Sequence, residues 1–217
     1  MFLFDLDGTL IDSNGVWKDV DREFLARRGI PYSHAYYAGV AHSTLSQAAI
    51  FTKQFCHLSE SCEDIIAEWK SMTKDLYANV TIKPGVRAYL KQCKQEGIPM
   101  AMVTSSIPEH CHAALKHLNL ESYFNNITFA QDLELEKHNP EIWLEAARRN
   151  GVRPQECMVF DDSLSACLGA RAANMRVIGV YDSHFSKDET EMRAFCDEYI
   201  MSFEELLHPP KESNENK

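Results

Sequence analysis

Residues 2–10 read Phe2-Leu3-Phe4-Asp5-Leu6-Asp7-Gly8-Thr9-Leu10, and no other stretch constrains the fold as much. An uninterrupted apolar run enters two carboxylates at alternate positions and then Gly and Thr, the pattern of a buried strand that ends in a tight loop. Side chains alternate faces along a strand, so Asp5 and Asp7 converge only where the chain leaves strand geometry between them. Gly8 supplies the freedom for that bend. Two ionised carboxylates held close together repel by several kcal/mol and call for a cation or a proton. Taken alone, an Asp-X-Asp is an ordinary pair of turn formers after an edge strand. The apolar run argues instead for a central strand covered on both faces, and ligands of parallel sheets bind outside the carboxyl ends of such strands.

The chain that follows falls into two rhythms. From Asp12 to about Thr81 the spacing predicts helix after helix and no strand. Val16, Trp17, Val20, Phe24 and Leu25 share one helix face that stops at Gly29-Ile30-Pro31, and a second helix runs from about Ser43 to Phe55. A third opens at Ser61-Cys62-Glu63-Asp64, a cap with acidic residues in the first turn, and carries Ile65, Ile66, Trp69, Met72 and Leu76. From Lys83-Pro84-Gly85-Val86 onward, strands and helices alternate. Helices are expected over 86–93, 108–118, 140–150 and 164–173, and strands over 98–103, 126–129, 157–160 and 176–180. Together with the opening strand these form a doubly wound parallel α/β sheet of five strands. The expected organisation is a core of residues 1–11 and 82–207, an inserted helical lobe of 12–81, and a tail, 208–217, whose Pro209, Pro210, Glu212, Asn214 and Glu215 lack apolar periodicity and predict disorder.

Four strand ends carry polar groups. Asp5 and Asp7 close the first. Thr104-Ser105-Ser106 follow Val103 at a helix start, where a hydroxyl and free backbone N–H groups make an anion site; a plain capping box of Ser106 and Glu109 is the local alternative. Lys137 precedes the helix at Pro140 and reads either as a solvated lysine balancing nearby glutamates or as a cation for anionic groups. Asp161-Asp162-Ser163 close the fourth strand end, where adjacent carboxylates either favour a helix dipole or complete an oxygen-rich site suited to Mg²⁺.

Composition narrows the partners. The 217 residues carry 22 basic and 32 acidic side chains, a formal net charge of −10, which repels polyanions and argues against nucleic acid. No basic leader and no long apolar run is present, so neither export nor a membrane span is expected, and the reading is a cytoplasmic monomer. Seven cysteines without a Cys-x-x-Cys pair fit reduced thiols. The absence of a Gly-x-x-x-x-Gly-Lys excludes a P-loop nucleotide hydrolase.

The stretch Phe4-Asp5-Leu6-Asp7-Gly8-Thr9-Leu10 resembles the first signature of the haloacid-dehalogenase-like (HAD) phosphohydrolases. Thr104, Lys137 and Asp161-Asp162 resemble the other three signatures in the correct order. Lys83-Pro84-Gly85-Val86, Lys137-His138-Asn139-Pro140-Glu141-Ile142-Trp143 and Phe160-Asp161-Asp162-Ser163 further resemble the β-phosphoglucomutase-like branch, which carries a helical cap after the first signature. The resemblance implies a Rossmann-like core with an inserted cap. It also implies a Mg²⁺-dependent phosphatase for a small phosphomonoester, a sugar phosphate or similar metabolite, working through an aspartyl phosphate. Asp5 would be the nucleophile and Asp7 the general acid and base. Thr104, the Ser105 amide and Lys137 would hold the phosphoryl group. Asp5, the Asp7 backbone carbonyl, Asp161 and Asp162 would hold the metal. Two departures stand out: Glu136 replaces the Gly that often precedes the lysine, and Asp161 replaces a frequent Glu.

Within the lobe, the segment Gly39-Val40-Ala41-His42-Ser43-Thr44 is expected to face the substrate. His42 stands where mutases of this branch carry an arginine, and Ile107 where they carry a lysine, so the resemblance favours a hydrolase over a sugar phosphomutase. Lys70 and Lys74 are weaker candidates for the cleft. A response-regulator receiver, a non-enzymatic phosphoacceptor, also combines an acidic pair, an acceptor Asp, a Thr or Ser and a Lys. It places the acceptor on its third strand and has no large helical insert.

Overall fold

A computed structural model describes residues 1–41, 43–77 and 79–208, with the side chains of Asp75 and Leu76 excepted. In chain order the elements are β1 (Phe2–Phe4), β2 (Ile11–Asp12), α1 (Asn14–Ala26), α2 (His34–Val40), α3 (Leu45–Phe55), α4 (Cys62–Tyr77), β3 (Thr81–Ile82), α5 (Val86–Gln95), β4 (Met100–Thr104), α6 (Pro108–His117), β5 (Ile127–Phe129), α7 (Ala130–Leu133), α8 (Pro140–Arg149), β6 (Met158–Asp161), α9 (Leu164–Ala172), β7 (Arg176–Val180), α10 (Glu189–Phe195) and β8 (Glu198–Ile200).

Six strands form one sheet in the order β5-β4-β1-β6-β7-β8, with every neighbouring pair parallel. β1 lies at the centre, flanked by β4 through Phe2↔Met100 and by β6 through Phe2↔Met158. Its pleat divides the core. Phe4, Met100, Met102 and Phe160 pack with α5 and α6 on one face, while Leu3, Ala101, Val103 and Val159 pack with Trp143 of α8, Cys167 of α9 and Met192 of α10 on the other. Winding runs outward from β1 through β4 and β5, then returns to β6 and continues the opposite way. A polar cleft therefore opens at the carboxyl end of β1.

The expected doubly wound sheet is present with one strand more than the sequence reading allowed. β8, Glu-Tyr-Ile, is three residues long and forms an edge through Ile178↔Glu198, too short for a periodic signal. The expectation of no strand from Asp12 to Thr81 is also corrected at its two ends. Ile11–Asp12 pairs antiparallel with Thr81–Ile82, so the chain leaves and re-enters the core side by side. α2 was not anticipated; Ser33 caps it by accepting the Tyr36 amide at 3.1 Å. The following helix starts at Leu45 behind a Thr44–Gln47 capping box rather than at Ser43. The cap at Ser61 forms as expected, its Oγ accepting the Asp64 amide at 3.0 Å.

α1 to α4 are the inserted helical cap and own a separate apolar cluster of Val20, Phe24, Leu25, Tyr36, Ala48, Ala49, Ile65 and Trp69. All seven cysteines are free thiols. Among the described residues, no helix is long and apolar enough to cross a membrane. The tail, Pro209 to Lys217, lies outside the described residues, as does His42.

Candidate active site

Asp5 follows the last residue of β1, its amide donating to the Phe160 carbonyl at 3.0 Å. The chain then turns abruptly. Leu10 and Ile11 amides both return to the Leu6 carbonyl, and the Gly8 amide reaches Ile11. Gly8 takes φ +81, and a Cβ there would collide with Asn14 Nδ2 and Asp162 Oδ2. Only glycine lets the loop lie this close to the second acidic strand end. Lys83, at the close of the β2–β3 ribbon, ties the turn down by donating to the Gly8 carbonyl, to the Tyr181 carbonyl at 2.7 Å and to Asp182 Oδ2 at 3.1 Å.

Asp5 meets the adjacent pair Asp161 and Asp162 although more than 150 residues of sequence lie between. One carboxylate oxygen from each lies within 4.8 Å of the other two, and all three residues are buried. Lys137 Nζ sits between Asp5 Oδ1 at 2.7 Å and Asp161 Oδ2 at 2.8 Å. Its loop is held from below: the Trp143 indole donates to the Lys137 carbonyl at 2.8 Å, and Asn139 caps α8 through the Glu141 amide. Asp162 is oriented by Thr9 Oγ1 at 3.0 Å and Asn14 Nδ2 at 2.9 Å. Both Asp161 oxygens are engaged, one by Lys137 and the other by the Ser163 amide at 2.9 Å.

Burial dominates the electrostatics. It pushes the Asp5 carboxyl up to about 6 against the attraction of Lys137, with repulsion from Asp161 adding to the rise. Burial and then the Asp5 and Asp161 charges drive Asp162 well above the usual carboxylate range. Asp7 is raised by burial and by Asp5, with hydrogen bonds from Ser13 and Tyr77 opposing. Lys137 is raised because Asp161 and Asp5 outweigh its own burial, so it stays charged. Four carboxylates around one lysine cannot admit an anion unless further positive charge arrives. Three buried carboxylates with oxygens close enough to share one ion fit a small hard divalent cation.

Asp7 is placed by groups that the sequence reading missed. Ser13 Oγ and Tyr77 Oη each donate to Asp7 Oδ1 at 2.6 Å, and the Trp17 indole donates to Tyr77 Oη at 2.8 Å. Ser13 lies where the chain enters the cap and Tyr77 where α4 ends. Only Trp17 carried a sequence signal, and that signal was for core packing.

Thr104 ends β4, fully buried, and its Oγ1 accepts the Ser106 amide at 3.0 Å. That bond replaces the Ser106–Glu109 capping box considered from sequence: α6 begins at Pro108 behind Ile107, with no side-chain cap. Ser105 lines the cleft, as do Asp5, Asp7, Lys137 and Asp162. The cleft encloses a cavity of ≈ 390 Å³ roofed by the cap. Lys18 of α1 lines this cavity, whereas Lys70 and Lys74 do not, so the cap lysine at the cleft is not either of those the sequence suggested. Ile107 lines it as an apolar wall.

A family model described as haloacid dehalogenase-like hydrolase matches residues 2–180. The chain is 30% identical over 193 residues to (DL)-glycerol-3-phosphatase 1, mitochondrial, of Arabidopsis thaliana, covering 85% of this chain and 65% of that protein. It is 26% identical over 179 residues to the bifunctional riboflavin kinase/FMN phosphatase of the same plant, covering 82% of this chain and 47% of that one. The chain thus spans between about half and two thirds of the length of these two relatives. Among solved structures, the putative beta-phosphoglucomutase from Thermotoga maritima matches with a TM-score of 0.75 at 25% identity, covering 95% of each chain.

Proposed function

The chain belongs to the haloacid dehalogenase-like hydrolases, and from that membership we propose that it is a Mg²⁺-dependent phosphatase of small phosphomonoesters. The single observation that carries this reading is the meeting of Asp5, Lys137 and Asp162 at the carboxyl end of the central strand, inside a cleft under the helical cap. In the proposed reaction an Asp5 carboxylate oxygen attacks phosphorus in line. The new P–O bond forms as the ester P–O bond breaks, leaving an aspartyl phosphate on Asp5. Asp7 gives a proton to the departing alkoxide and then takes one from the water that hydrolyses the aspartyl phosphate. Such proton transfers contribute about 10²- to 10⁴-fold to rate.

Lys137, the Thr104 hydroxyl and the Ser105 amide hold the phosphoryl oxygens, with Lys137 also offsetting the charge of the nucleophile. Mg²⁺ would be held by Asp5, Asp162, the Asp7 backbone carbonyl and Asp161, and would neutralise phosphoryl charge during transfer. In this reading residues 12–81 close over a core of 1–11 and 82–207 and exclude water from the cleft.

The test is a phosphate-release screen over sugar phosphates, polyol phosphates and nucleotides with Mg²⁺, run on the wild type and on Asp5→Asn. We expect release by the wild type and none above background by a folded Asp5→Asn. Turnover by Asp5→Asn equal to the wild type overturns the nucleophile assignment. A bisphosphate-dependent interconversion of sugar phosphates without net release would turn the reading to a mutase.

A further inference from the structure

Lys83 is a charged side chain behind the active site, and the reaction above does not use it. It is 14% exposed, and its ammonium meets three acceptors: the Gly8 carbonyl, the Tyr181 carbonyl at 2.7 Å and Asp182 Oδ2 at 3.1 Å. All three donors of the ammonium are thereby engaged. Gly8 follows Asp7 in the opening turn, whereas Tyr181 and Asp182 follow β7, two strands away from β1 in the sheet. The Lys83 amide also donates to the Leu10 carbonyl at 3.0 Å, so this one residue grips the turn at both ends. Asp182 is buried, yet Lys83 and bonds from the His184 amide and Asn14 outweigh its burial and hold its carboxyl below the usual range. Stability alone does not explain such a pair, because apolar side chains of similar volume hold a core at least as firmly.

The turn bears on the cation site through Gly8. A Cβ there would lie 2.2 Å from Asp162 Oδ2 and 2.1 Å from Asn14 Nδ2, the two atoms that bond one another at 2.9 Å. The Gly8 backbone is therefore the wall against which the Asp162 carboxylate is set, and the Lys83 ammonium fixes that wall from behind. Charge and position make opposite demands here. A positive charge behind a cluster of carboxylates repels a dication, whereas a fixed turn keeps the carboxylates in place to bind one. We propose that Lys83 is a positioning residue for the cation site: its grip on the Asp7–Gly8 turn holds Asp162 where it shares an ion with Asp5 and Asp161, so that this positive charge strengthens Mg²⁺ binding. The inference rests on the Mg²⁺-dependent reading and assigns what sets the affinity of the same site.

Calorimetric titration of Mg²⁺ into the substrate-free protein tests this in the wild type, Lys83→Met, Lys83→Met/Asp182→Asn and Lys83→Arg, with the Tm of each in EDTA recording its stability. We expect both methionine variants to bind Mg²⁺ at least about tenfold more weakly than the wild type, as losing a group that orients a metal ligand costs about 10- to 100-fold. The double variant leaves no unpaired buried carboxylate and keeps the wild-type net charge, so charge does not account for its loss. Lys83→Arg keeps the charge, but its planar fork does not place three donors around one nitrogen, and it should fall between. It stands as the test if the methionine variants do not fold. Tighter binding by Lys83→Met overturns the inference, since it shows that the charge acts alone. A lowered Tm in EDTA with unchanged Mg²⁺ affinity, in whichever variant folds, also overturns it and leaves the phosphatase reading intact. No Mg²⁺ binding by the wild type overturns both readings together.

Discussion

At the scale of single residues, the two carboxylates of the opening motif are held in different ways. Asp5 faces Lys137 across 2.7 Å, whereas Asp7 takes two short hydroxyl bonds on one oxygen. If Asp7 acts as acid and then base, Asp7→Asn lowers kcat on alkyl phosphates by about 10²- to 10⁴-fold. On 4-nitrophenyl phosphate, whose leaving group needs little protonation, it gives a burst of nitrophenolate approaching one equivalent, followed by slow turnover. Stopped-flow absorbance checks this, and a steady rate without a burst rejects the base role. Asp21 makes a prediction about stability. Its carboxyl is raised from 3.8 to about 7 on folding, so the folded state resists its ionisation and stability is lost as pH climbs from about 4 through 7. Asp21→Leu removes that loss. Its advantage over the wild type in urea melts should therefore grow from pH 5 to pH 8, by at most about 4 kcal/mol for a shift of this size. An advantage independent of pH would show that folding does not raise the Asp21 carboxyl.

At the scale of elements, the geometry of Lys137 depends on a glycine in a neighbouring helix. Gly169 of α9 lies where a Cβ would collide with the Lys137 carbonyl and with the His138 backbone. Alanine in place of a helical glycine ordinarily gains about 1 kcal/mol. Here the obstacle is backbone rather than the end of a flexible side chain, and overpacking of that kind is destabilising by about 1–3 kcal/mol. Gly169→Ala should therefore lower both stability and kcat, read by urea denaturation and steady-state turnover, since the Lys137 loop has to shift to make room. A gain in stability with unchanged kcat would show that the loop yields freely. The strands that the sequence reading missed share one physical cause: β2, β3 and β8 have two or three residues each, shorter than any period that a pattern can register. Their pairing comes from partners distant in the chain.

At the scale of the whole molecule, a cation bound among Asp5, Asp161 and Asp162 would join the end of the first strand to the end of β6. Because the unfolded chain does not hold these groups together, Mg²⁺ at a hundredfold excess over its dissociation constant should add about 2.7 kcal/mol of stability. For a chain of this length that raises Tm by roughly 5–10 °C relative to chelator. Calorimetry with Mg²⁺ and with EDTA reads this apart from turnover, and an unchanged Tm argues against the site. The amino-acid sequence by itself determined the alternation of strands and helices and the central place of the opening strand, while Asp5, Asp7, Lys137, Asp161 and Asp162 were singled out together only through the resemblance of their motifs to a known family. The alternation is legible because apolar period and glycine freedom are local properties. Only the tertiary structure decided that Ser13 and Tyr77 share one oxygen of Asp7 and that Gly169 makes room for the Lys137 loop. Those facts depend on which distant surfaces meet, and neither a buried Tyr nor a buried Asp carries any mark in its own neighbourhood of what it will face.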